Sequence, residues 1–119
     1  MLEPSKLFEF EQKTFIKSEL GTQIPWVVPS HLAYFEGHFP GKPVLPAVGI
    51  IDASLVGIER ILGKKVQMKA ISSAKFMGLI EPGLTLEILL NSKDQIHWEA
   101  KWLHSVSKET LAMVRLEIG

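Results

Sequence analysis

The chain predicts an α+β fold in which a sheet wraps one central helix. Three observations lead there. Residues 47–62 are apolar almost throughout and carry helical punctuation at both ends. Extended apolar stretches flank them in the order two strands, one helix, four strands, which is not the alternation of βαβ units. Finally, 119 residues with 46% hydrophobic and 22% charged composition suit one domain over 1–119 and leave little for a second core.

Taken in order, residues 7–16 set Phe8 and Phe10 against Glu9 and Glu11, the alternation of a half-buried strand. Residues 22–28, around Trp26, read as a second strand, with Pro25 suited to an edge. The stretch 37–46 holds Gly37, Gly41, Pro40, Pro43 and Pro46, so it is a stiff, turned loop. Pro46 then starts a helix over 47–62 that Gly63 stops, and its composition predicts burial nearly all round. Beyond it, 66–80, 84–90, 96–106 and 110–118 read as strands separated by turn residues. On the third of these, Trp98 and Trp102 share a face with Ile96 and Ala100, as core or subunit interface.

Composition excludes several classes of function. Thirteen Lys plus Arg balance thirteen Asp plus Glu, so no global field holds nucleic acid or an anionic membrane. There is no cysteine, hence no disulfide, thiolate zinc site or thiol nucleophile. With no apolar leader in residues 1–6 and no run long enough to span a bilayer, the expected location is the cytoplasm. The four histidines, His31, His38, His97 and His104, show no metal-ligand spacing. Ser54, Ser72 and Ser73 lie in no nucleophile elbow, and no glycine-rich nucleotide loop is present. Arg60, Lys64, Lys65, Lys69 and Lys75 form a local basic run, read either as a solvated edge or as a surface that steers an acidic partner.

Three features can carry chemistry. Asp52 lies in mid-helix among apolar residues, where an ionised carboxylate needs partners: it either pairs for structural reasons or is kept for reaction. It shares a stripe with Gly49, Val56 and Glu59, and Gly49 leaves room one turn before it. His38 sits on the proline-stiffened loop, where a general base can be held, although a surface histidine is the alternative. The loop runs straight into the helix, whose first N–H groups, from Ala47 and Val48 onward, have no intrahelical acceptor and can hold an oxygen that turns negative.

The segment Gly37-His38-Phe39-Pro40-Gly41-Lys42-Pro43-Val44-Leu45-Pro46, followed by Asp52, resembles the active-site segment of the beta-hydroxyacyl-(acyl carrier protein) dehydratases of the hot-dog fold. Ala74-Lys75-Phe76 and Pro82-Gly83 resemble the family's next strand and turn. In its compact length the chain resembles the short members found in aryl polyene and related lipid gene clusters more than the longer housekeeping enzymes. The resemblance implies a helix wrapped by an antiparallel sheet, paired as a homodimer or higher homo-oligomer with sites at the interface. It also implies dehydration of a 3-hydroxyacyl thioester, on acyl carrier protein or coenzyme A, to the trans-2-enoyl product, with no metal or organic cofactor. Carried onto this chain, His38 would take the C2 proton and Asp52 of the other subunit would help the 3-hydroxyl leave as water. Phe39, Gly41, Pro46, Ala47 and Val48 would bind substrate, with the amides after Pro46 on the thioester oxygen and the acyl chain in an apolar tunnel along the helix.

The sequence departs from the family pattern in three places. Ala47 stands where glycine is common, Asp52 where many members carry glutamate, and Met77 and Gly78 replace a basic pair of the carrier-docking surface, leaving Lys42, Lys64, Lys65 and Lys75 as candidates. Two other readings stay open: a hot-dog thioesterase in which a carboxylate activates water, and a non-catalytic acyl-binding subunit.

Overall fold

A computed structural model of the chain describes residues 3–35 and 41–119. A short helix, α1 (Pro4–Leu7), and a 3-10 turn (Gln12–Thr14) lead into strands β1 (Ile16–Ser18) and β2 (Gly21–Val27). A second 3-10 turn (Ala33–Phe35) precedes the long helix α2 (Ala47–Leu62), and β3 (Met68–Phe76), β4 (Thr85–Asn91), β5 (His97–His104) and β6 (Thr110–Ile118) follow. The strands form one antiparallel sheet in the order β1-β2-β4-β5-β6-β3. None of the described helices is long and apolar enough to cross a membrane.

The sheet's inner face follows from period-two alternation. Leu86, Ile88 and Leu90 on β4, Trp98, Ala100 and Trp102 on β5, and Ala112, Val114 and Leu116 on β6 are all buried against α2 or one another. The helix comes close to this surface at Gly57, where a Cβ would lie 2.7 Å from Leu90 Cδ1 and 3.1 Å from Ile24 Cδ1. Its one buried hydroxyl is satisfied on both sides: Ser54 Oγ donates to the Ile50 carbonyl at 2.8 Å and accepts from Trp102 Nε1 at 3.0 Å. Gly63 ends α2 in the left-handed region at φ +71°, its N–H on the Glu59 carbonyl.

Four expectations change. Residues 7–16 are not a strand: Phe8 and Phe10 point inward and Glu9 and Glu11 outward, yet the segment contains the end of α1 and a 3-10 turn, and only Ile16–Ser18 joins the sheet. Aromatic packing replaces the ladder, with Phe8 and Phe10 edge-on to Trp26 at 5.8 and 5.6 Å, and Trp26 edge-on to Trp102 at 5.9 Å. The strand expected over 66–80 shortens to Met68–Phe76, interrupted by two register shifts. Ile96 precedes β5 and is exposed, its N–H turned to Asp94 Oδ1, so it does not share the buried face of the two tryptophans.

The fourth change concerns α2 itself. One face is buried, through Gly49, Ile50, Ala53, Ser54, Val56, Gly57 and Ile58. On the opposite stripe Val48 is 56% exposed, and Ile51, Asp52, Leu55 and Glu59 are half-buried. The sheet lines one side of the helix, and the other side looks outward.

Candidate active site

The site is built on the start of α2. Leu45 N–H bonds the Ile80 carbonyl at 2.8 Å, fixing the end of the loop to the strand side of the fold. Pro46 occupies the N-cap with extended geometry, and the first bond of the helix runs from Ile50 N–H to Pro46 O at 3.1 Å. The N–H groups of Ala47, Val48 and Gly49 therefore lack intrahelical acceptors and form the positive end of the helix dipole. Ala47 and Val48 are both exposed, and Gly49 is buried.

Asp52 follows on the outward stripe of α2, half-buried. Its Oδ2 accepts a hydrogen bond from the Tyr34 hydroxyl at 2.6 Å. Burial, and then the neighbouring carboxylate, push the Tyr34 hydroxyl well above its ordinary ionisation range, so it stays a neutral donor. The Tyr34 ring stacks on Phe8, with centroids 5.4 Å apart. A Cβ at Gly49 would lie 3.2 Å from Tyr34 Cδ1 and 2.6 Å from Leu45 Cδ1. The room that Gly49 leaves before the carboxylate is thus taken by the chain's own Tyr34 and Leu45.

The expected residues divide as follows. Pro46, Ala47, Val48 and Asp52 lie within the first two turns of one helix. Gly41 is exposed with φ +84°, while His38 and Phe39 lie outside the described residues. Glu59, on the Asp52 stripe, accepts from Val66 N–H at 2.9 Å and closes the α2–β3 connection. A cavity of about 490 Å³ along α2 is lined by Leu55, Val56 and Glu59 with Lys65 and Val66, and Asp52 does not line it. Sequence reasoning missed Tyr34; the available signal was a lone tyrosine just ahead of the His38 loop.

Other candidates resolve into local structure. His104 Nδ1 accepts from the Val106 and Ser107 amides in a turn. His97 lies between Asp94 and Glu117, and the hydrogen bond and charge of Asp94 raise its pKa. In the basic run Lys65 pairs with Glu3, Lys69 with Glu117, and Arg60 donates to the Ser5 carbonyl. Among the described residues no group of three His, Cys, Asp or Glu is placed to hold a metal ion.

The profile of the ApeI-like dehydratases, described as ApeI dehydratase, matches residues 14–113, which includes β1 to β5, α2 and the loop before it. This chain belongs to that family. In sequence it is similar to the 3-hydroxyacyl-[acyl-carrier-protein] dehydratase FabZ of Latilactobacillus sakei, 40% identical over 74 residues that make up 54% of this chain and 53% of that enzyme. The FabZ of Thermoanaerobacter sp. is 31% identical over 98 residues, covering 75% of this chain and 69% of the other. The chain spans about half the length of the Latilactobacillus enzyme. In structure it is similar to the dehydratase heterocomplex ApeI:P from Xenorhabdus doucetiae, with a TM-score of 0.77 at 20% identity over 93% of this chain and 98% of that one. That likeness establishes the hot-dog architecture of the ApeI-like family here.

Proposed function

We propose that this ApeI-like chain dehydrates a 3-hydroxyacyl thioester, carried on an acyl carrier protein or coenzyme A, to the trans-2-enoyl thioester in fatty acid or related lipid or polyene biosynthesis, in the cytoplasm. The observation that carries the reading is Asp52, held by one oxygen a turn after the open N–H groups of α2, in a chain of a dehydratase family. The amides after Pro46 bind the thioester oxygen and stabilise the enolate charge formed when His38 removes the C2 proton. Asp52 gives a proton to the 3-hydroxyl, which leaves as water. Phe39, Gly41, Pro46, Ala47 and Val48 bind substrate, and no metal or organic cofactor takes part.

Each site combines His38 of one subunit with Asp52 of another in a homodimer. The unpaired edge of β3, where Ile71 and Phe76 are exposed, and the outward stripe of α2 support such pairing. The test begins with absorbance of the conjugated enoyl product from a 3-hydroxyacyl thioester; release of free thiol without it would replace dehydration by hydrolysis. His38→Ala and Asp52→Ala homodimers should each fall to a residual rate about 10²- to 10⁴-fold below wild type. Unfolded and refolded together, they should regain about a quarter of wild-type activity, because half the dimers then hold one intact site of two. Mixed dimers as inactive as their parents would remove the shared site.

A further inference from the structure

We propose that Tyr34 is the positioning residue for Asp52, fixing which carboxylate oxygen faces the substrate and stabilising the charge left on it when its proton departs. The inference rests on the dehydratase reading above. The Tyr34 hydroxyl donates to Asp52 Oδ2 at 2.6 Å, and Oδ1, which accepts no hydrogen bond among the described residues, is the oxygen we assign to a 3-hydroxyl.

The donor is aimed by its surroundings. Tyr34 lies in the 3-10 turn closed by Phe35 N–H on the Leu32 carbonyl at 3.0 Å. Its ring is seated between fully buried Phe8 and the bare backbone of Gly49. Two packed surfaces and a closed turn therefore place the hydroxyl before any substrate arrives. Asp52 becomes more negative as it passes its proton to the leaving oxygen, and a donor already in place answers that charge without reorganisation. A neutral donor suits this work, since it stabilises the developing carboxylate without supplying a competing proton.

Tyr34 is the only tyrosine of the chain, so tyrosine labelled at Cζ gives a single NMR resonance. That resonance should shift in Asp52→Asn. Phenylalanine keeps the ring packing, so Tyr34→Phe should stay folded and lose about 10- to 100-fold in kcat, the range of one hydrogen bond to a charged group, with KM within about two-fold of wild type. In an Asp52→Asn background the same substitution should cost little more, because its effect passes through Asp52. A Cζ resonance indifferent to Asp52→Asn, a kcat loss of equal size in both backgrounds, or a folded Tyr34→Phe as fast as wild type would overturn the proposal. In the last two cases wild-type turnover leaves the dehydratase reading standing; a wild-type chain that makes no enoyl product removes that reading and this role together.

Discussion

The two faces of α2 are built from the same kinds of residue and have different fates. Ile50, Ala53 and Ile58 face the sheet and are buried, whereas Val48 is exposed and Ile51 and Leu55 are half-buried on the stripe that also carries Asp52. Apolar composition measures how much surface wants cover, and it does not say whether the cover comes from the same chain. Here the sheet covers one face, and the other, with the carboxylate on it, is left partly open.

Three substitutions separate the faces, in falling order of effect. Trp102→Ala removes a side chain with no exposed surface and strands the Ser54 hydroxyl from one partner. It should cost about 3–5 kcal/mol in urea unfolding; a loss below about 1 kcal/mol would mean that the inner face tolerates a cavity. Gly49→Ala, on the boundary, pits helix propensity against crowding of Leu45 and Tyr34. Crowding should win by about 1–3 kcal/mol and push the Tyr34 ring off Phe8, seen as a loss of near-ultraviolet dichroism. A more stable variant would show that both neighbours yield easily. Leu55→Ser, on the outward stripe, should cost the isolated chain about 1 kcal/mol or less while shifting its elution toward the monomer. Elution identical to wild type would remove the stripe from the subunit contact.

What could be read from the sequence follows the range of the forces involved. The limits of α2 match because Pro46 and Gly63 act on their own backbone, where no distant residue can overrule them. The succession of two strands, one helix and four strands also survives, with the first strand at Ile16–Ser18, since turn residues and alternation are local. Residues 7–16 misled because alternation reports which side faces the core, and aromatic contacts with Trp26 can impose that facing without a ladder. The place of Asp52 on α2 and the open amides at its start were legible from composition and capping. Tyr34 was not, because its contact closes a gap of eighteen residues across a loop with no periodicity. The proposed sharing of a site between His38 and Asp52 would involve a second chain, which periodicity within one chain cannot describe.

Pro25 carries a consequence for growth of the sheet. The β1 ladder reaches only to Gln23, so β2 beyond it is a margin, and Pro25 offers no N–H there. At the opposite margin β3 runs for nine residues. Of the two margins, the long border of β3 is the better placed to join a like sheet. Joining in that way would consume the border in both molecules, so the sheet would not extend through it to a third chain.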